Sequence, residues 1–349
     1  MNSTQKRKKK QFFACLKKNV SFKEKTTGFE DVELVYQAIP EINKEDLDLR
    51  TNFLGKKFRA PILVNAMTGG FKEAEKINKD LAFACEKLGL GMCLGSQRAM
   101  IEDRGLSRTY KVRDVAPNIF LAGNIGIAQL NEFSLKEIEW ALKEVKADAL
   151  AIHLNAGQEL IQKDKKINFM KRINEIRQLS SRLNKPVYVK EVGQGISKDV
   201  VRKLNKTKIA AIDVGGSGGT NWMKTDALVR GDPSWKTFED FGIPTAWSLI
   251  EAKSATKKPL IASGGIRNGL DAVKAIALGA DLVGIALPLL KESGKGRQAI
   301  VSCLNNFIEE MSITMVLINA RNLKELKKKK PVILGKTRQW MQQRKLKLA

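Results

Sequence analysis

Short apolar runs alternate with helical stretches along most of this chain, a rhythm that predicts parallel strands joined by crossover helices. Eight runs read as strands: Pro61–Ala66, Gly89–Leu94, Ile119–Gly123, Asp148–His153, Pro186–Glu191, Ala210–Val214, Pro259–Ser263 and Asp281–Ala286. Between them, stretches such as Leu135–Val145, Phe169–Leu183 and Leu270–Leu278 repeat apolar residues at three- and four-residue steps, the mark of helices with one buried stripe. Eight such units over roughly 250 residues match a (β/α)8 TIM barrel of the α/β class. Strand count alone does not prove closure, so an open doubly wound sheet is the alternative. The predicted division is an N-terminal extension at 1–58 with a short antiparallel element, a barrel at 59–320, and a basic tail at 321–349.

With 349 residues and 43% apolar content the chain can bury one large core. The four cysteines, Cys15, Cys85, Cys93 and Cys303, form no C-x-x-C pair or disulfide-like spacing, and no N-terminal apolar stretch resembles a signal peptide or membrane span. A reducing, cytoplasmic setting is expected, with no membrane partner. The net charge of +25 raises the question of nucleic acid, but its distribution answers differently. Residues 1–25 hold nine Lys or Arg against one acid and residues 324–349 hold ten against one, so the two ends carry most of the surplus. No aromatic residue interrupts the Lys324–Lys330 run, which argues against base stacking and leaves a solvated terminus or a patch for polyanions. No nucleic-acid partner is expected.

In a parallel barrel the chemistry gathers at the C-terminal ends of the strands. Those ends here are polar or glycine-rich: Met67-Thr68-Gly69-Gly70, Gly95-Ser96-Gln97-Arg98, Asn124-Ile125-Gly126, Lys190-Glu191, Gly215 to Thr220, Ser263 to Arg267, and Gly284 to Ala286. Each glycine pair alone makes a tight turn as readily as a phosphate pocket; three in succession after the last strands favour a phosphate-bearing cofactor. Gly216 to Asn221 lacks the third glycine of a dinucleotide fingerprint. Lys190 ends a buried strand and needs an anion or solvent; pairing with Glu191 is awkward because adjacent strand residues face opposite ways.

The fourth strand ends in His153-Leu154-Asn155-Ala156-Gly157-Gln158-Glu159, which holds the only histidine. A lone histidine rules out a histidine-cluster metal site and by itself reads more often as a structural hydrogen-bonding group than as a catalyst. Asn155, Gln158 and Glu159 suit a hard, partly hydrated Mg²⁺ that substrate phosphates would also ligate, or simply a polar rim.

These segments, with Thr26-Thr27-Gly28-Phe29-Glu30, Val189-Lys190-Glu191-Val192-Gly193, Gly218-Gly219-Thr220 and Gly242-Ile243-Pro244-Thr245, resemble the type 2 isopentenyl-diphosphate isomerases from about Lys6 to Leu290. The resemblance implies FMN and Mg²⁺, with NADPH as flavin reductant, a small diphosphate substrate, and a homo-oligomer, tetramer or octamer. It assigns Ala66, Met67, Thr68, Ser96, Asn124, Lys190, Thr220, Gly264, Gly265, Ile266, Arg267, Ala286 and Leu287 to the flavin. Arg7, Lys8, Ser96, Gln97, Arg98 and Gln158 would bind substrate, Gln158, His153 and Asn155 would be catalytic, and Glu159 would bind the metal. Gln11 stands where a histidine is usual, Gly157 where a bulkier residue is, and Phe241 replaces a tryptophan. An FMN-dependent α-hydroxy-acid oxidase is the nearest alternative, but that chemistry needs a histidine in the late barrel loops, where this chain has none. An inosinate-type dehydrogenase would need a cysteine near Ser217, Thr220 and Asn221.

Overall fold

The computed structural model describes residues 3–162 and 168–348. Eight parallel strands close on themselves: β1 (Ile62–Val64), β2 (Gly91–Cys93), β3 (Leu121–Gly126), β4 (Ala149–Leu154), β5 (Val187–Glu191), β6 (Ala211–Asp213), β7 (Leu260–Ser263) and β8 (Leu282–Ile285). Strand β8 pairs with β1, Val283 opposite Ile62, which settles the barrel against the open sheet. Alternate residues turn inward, so Leu63, Cys93, Ala122, Ala149, Ala151, Tyr188, Ala211, Ile261 and Leu282 fill the interior. The alanines leave room for Tyr188, which is fully buried. Outward residues such as Ile62, Val64, Leu121, Ile152 and Val283 pack under the helices.

The expected antiparallel element is the hairpin Thr51–Phe53 with Lys56–Phe58. It plugs the N-terminal end of the barrel, where Phe53 and Phe58 sit 5.6 and 5.8 Å from Phe120. The aromatic packing seals the barrel interior at that end, and the interior opens toward the opposite rim. The helices begin where their sequences cap them: Ser134 and Glu137 form a capping box, while Asn221 and Asn268 accept from Lys224 and Asp271 backbone N–H groups.

Composition left solvated ends or polyanion patches open, and both basic ends are docked on the barrel. Residues Ser3–Lys17 form a helix over the open rim, with Phe12, Cys15 and Val20 packed on Phe71, Ala74 and Leu290. Burial of Phe12 alone stabilises this arm by about 2 kcal/mol. At the other end, Val332–Ile333 pairs antiparallel with Val32–Glu33, and the helix Gly335–Gln343 follows. Trp340 stacks on Trp247 with ring centroids 4.8 Å apart, and Arg344 reaches the fully buried Glu251 at 2.7 Å. Lys327 of the lysine run pairs with Asp281. The helix Arg297–Leu317 is long and apolar enough to cross a membrane, but Ile300, Leu304, Phe307, Met311 and Met315 bury its inner face in the barrel's helical layer.

Candidate active site

A cavity of about 470 Å³ opens at the C-terminal rim. Its floor is a polar layer laid across four strands. The fully buried Asp213 carboxylate accepts from Asn65 Nδ2 at 2.8 Å and Ser263 Oγ at 2.6 Å. Burial pushes its carboxyl above the usual range, while the nearby Lys190 and these hydrogen bonds oppose that. Lys190, opposite Asp213 in the strand register, donates to the Glu191 carbonyl at 3.0 Å. The Glu191 side chain points the other way and accepts the backbone N–H groups of Val192 to Gly195, fixing the loop after β5. Burial raises its carboxyl to about 7 against the Gly193, Gln194 and Val192 N–H groups and the charge of Lys190.

The loops after β6, β7 and β8 make one wall. They approach one another so closely that a Cβ on Gly264, whose φ is +103°, would fall 2.0 Å from the Gly216 carbonyl oxygen. A Cβ on Gly219 would meet Gly265 N at 2.4 Å, so only glycine lets these backbones face the cavity together. Thr220, Ile266, Arg267, Ala286 and Leu287 complete this side.

Ala66, Met67, Thr68, Ser96, Asn124 and His153 form the opposite wall. His153 Nδ1 lies 3.0 Å from Asn124 Oδ1, within hydrogen-bond distance. Burial first, then the charges of Lys190 and Lys8, lower its pKa to about 3, so the imidazole is neutral. At the outer end the N-terminal helix lowers Arg7, Lys8 and Gln11 into the cavity beside Arg98. Lys8 Nζ donates to the Ser96 carbonyl at 2.5 Å and to Tyr110 Oη at 3.3 Å. Burial, then Arg7 and Arg98, lower its amine to about 7.

Between the two ends lie Asn155, Gln158 and Glu159, positioned by the short helix Ala156–Gln162. Asn155 Nδ2 donates to Glu159 Oε1 at 2.8 Å and to Gln158 Oε1 at 3.3 Å. Behind them Asp226 accepts from Gln11, from Gln162 at 2.8 Å and from Gln158. Thr68 Oγ1, Asn155 Oδ1 and Ser217 Oγ are buried with no protein partner. The first two face the cavity walls, so this structure leaves polar groups for a bound ligand to satisfy.

The sequence profile of the FMN-dependent dehydrogenase family matches residues 4–104 and 109–332. An isopentenyl-diphosphate delta-isomerase of Pyrococcus furiosus is 43% identical over 343 residues, covering 95% of this chain and 87% of that one. A relative of the same name from Methanothermobacter thermautotrophicus is 42% identical across 97% and 96% of the two chains, and one from Mycolicibacterium vanbaalenii 41% across 93% and 96%. The chain belongs to the isopentenyl-diphosphate delta-isomerase family. Among solved structures, the flavin-binding domain of baker's yeast flavocytochrome b2 matches with a TM-score of 0.69 over 92% of this chain and 82% of that one at 17% identity. A mandelate oxidase variant matches with 0.64 over 93% and 92% at 13%. At such identities they share the barrel fold with this isomerase family and nothing finer.

Every residue the sequence assigned to the site lines the cavity except Gln97. That side chain is turned into the protein, where its Oε1 accepts Asn124 N at 3.0 Å and its Nε2 donates to the Ala141 carbonyl at 3.0 Å. At 2% exposure it braces the second and third βα units and does not line the cavity. Sequence reading missed Asp226, Gln162, Asn65 and Asp213. A buried carboxylate surrounded by amides leaves no mark in a linear pattern; the one clue to Asp213 was an acid inside an apolar strand.

Proposed function

We propose that this cavity interconverts isopentenyl diphosphate and dimethylallyl diphosphate, using reduced FMN and Mg²⁺, with NADPH reducing the flavin, as a step of isoprenoid biosynthesis. The observation that carries the reading is a single cavity with two chemically distinct ends. One end has Lys190 and the glycine loops; the other has Arg7, Lys8 and Arg98; the Asn155–Glu159 segment stands between.

The residues fit the flavin mononucleotide. The backbone N–H groups of the glycine loops with Arg267 suit its phosphate, the unpartnered Thr68 hydroxyl and Asn124 suit its ring edge, and Lys190 would lie against a ring that carries negative charge. When bound, the reduced flavin supplies an electron-rich face and an exchangeable proton beside an alkene that acquires positive charge. Among the described residues no three His, Cys, Asp or Glu side chains converge. Glu159, with the unpartnered Asn155 Oδ1 beside it, suits a magnesium ion completed by diphosphate oxygens.

The chain's own groups do the rest. Arg7, Lys8 and Arg98 hold the diphosphate and so align the five-carbon chain along the cavity. Gln158, held between Asn155 and Asp226, presents its amide to the substrate and directs a proton at the end remote from the flavin. His153 serves as a neutral hydrogen-bonding group, because a pKa of about 3 leaves it no proton to give as an acid at neutral pH. For the same reason it is a poor base for an α-hydroxy-acid oxidase, the alternative that the fold alone would allow. Phe12, Trp222 and Leu290 close the cavity toward the N-terminal helix and keep water from developing positive charge.

The four unpaired cysteines support a cytoplasmic setting, and the exposed Val35, Tyr36 and Ile39 beside Leu317 support assembly into a homo-oligomer. The test is anaerobic incubation of the purified protein with isopentenyl diphosphate, omitting FMN, Mg²⁺ and NADPH in turn. Dimethylallyl diphosphate should form only in the complete mixture, and undiminished product without flavin would remove the proposal.

A further inference from the structure

The docked C-terminal helix is connected to the glycine loops by an unbroken line of contacts. Its residue Thr337 is fully buried and lies outside the cavity. The Thr337 hydroxyl accepts from Trp247 Nε1 at 2.6 Å and faces two acceptors, Asp31 Oδ2 at 3.0 Å and the Gly28 carbonyl at 3.3 Å. Its backbone N–H donates to the same Asp31 oxygen at 2.8 Å, and Leu334 N donates to the Asp31 carbonyl at 2.8 Å. The segment thus held, Thr26-Thr27-Gly28, runs beneath the phosphate-facing loops. A Cβ on Gly218 would fall 2.4 Å from Thr27 N, and one on Gly265 2.4 Å from Thr27 Cγ2. Arg267 ties the loops together by donating to the Gly218 carbonyl at 3.0 Å.

We propose that Thr337 is a positioning residue for the phosphate end of the cofactor cradle. Through Gly28 and Asp31 it fixes the height of Thr27, on which Gly218 and Gly265 rest, and so the aim of the N–H groups that would face a phosphate. The inference rests on the reading of these loops as a flavin-phosphate site. It gives the C-terminal segment a task its lysine-rich composition conceals: discrimination of FMN from the same flavin without a phosphate.

The experiment compares dissociation constants of FMN and riboflavin for the flavin-free protein by fluorescence quenching, well below each variant's Tm. Wild type should prefer FMN strongly; equal affinities would refute the phosphate reading itself. Given that preference, Thr337→Ala should lower the FMN-to-riboflavin affinity ratio by about tenfold, the scale of misaligned charge-assisted hydrogen bonds, with riboflavin affinity unchanged. Thr337→Ser keeps the hydroxyl and should restore the ratio. Trp340→Leu, which removes the stack beneath Trp247, should lower it in the same direction and serves if Thr337→Ala does not fold. Lys327→Ala removes a pair of the same C-terminal segment, with Asp281, that touches none of these residues; it should leave the ratio intact. An unchanged ratio in Thr337→Ala or in folded Trp340→Leu, or equal loss of both flavins, would overturn the inference.

Discussion

Lys8 provides a quantitative handle on the substrate end of the cavity. Its amine is lowered to about 7 by burial and by Arg7 and Arg98, with the charge of Glu102 opposing them. The groups facing it, the Ser96 carbonyl and the Tyr110 hydroxyl, do not compensate a full charge. A diphosphate binds the ammonium form, so binding must draw a proton onto Lys8 above pH 7. About a tenth of the free protein carries that proton at pH 8 and about a hundredth at pH 9, which weakens apparent affinity about tenfold per unit. The KM for isopentenyl diphosphate should therefore rise with pH above 7. Lys8→Arg keeps its charge throughout and should flatten that rise, while Lys8→Met should lose about 2 to 3 kcal/mol of kcat/KM below pH 7 and respond no further. Ionisation of the substrate's own phosphates affects all three proteins equally, so the difference between the Lys and Arg profiles isolates Lys8. Steady-state kinetics from pH 6 to 9, with calorimetry in two buffers to count protons taken up, supply the data. Parallel profiles for wild type and Lys8→Arg would refute the reasoning.

Asp226→Asn leaves three buried amide donors around one acceptor, so kcat should fall by roughly tenfold or more through a disoriented Gln158, with flavin affinity unchanged in a titration. Gln158→Ala should slow turnover by roughly 10²-fold and reduce deuterium incorporation from D₂O in parallel, whereas the defect of Glu159→Gln should be eased by raised Mg²⁺. Gln97→Ala should cost about 1 to 3 kcal/mol in denaturant unfolding, because Asn124 N and the Ala141 carbonyl lose a buried partner, while KM stays near wild type; a large KM effect would return Gln97 to the substrate site.

The barrel was legible because its strands are short, apolar and regularly spaced, and the observed strands fall within or close to the expected runs. Closure was not legible, since the pairing of Val283 with Ile62 is a relation between distant segments. Site residues on strand ends could be read because a polar group that ends a buried strand has few other reasons to be there. Gln97 shows the limit: it lies between Ser96 and Arg98, both of which line the cavity, and only its hydrogen bonds reveal that it turns inward. Composition concealed the docking of both termini. The lysines hide Phe12 and Cys15 at the N-terminus, and Thr337 and Trp340 at the C-terminus, and a few well-placed buried side chains suffice to dock a helix whose remaining residues are charged. Asp226 was invisible because its partners Gln11, Gln158 and Gln162 come from two other segments.

The central claim is that the flavin is needed reduced yet is not consumed. Its most direct test is the number of dimethylallyl diphosphate molecules formed per NADPH oxidised under strict anaerobiosis, followed together by product analysis and absorbance. The account predicts many products for each NADPH, with oxidation limited to the initial reduction of bound FMN. One NADPH consumed per product, or the same rate with the flavin kept oxidised, would contradict it.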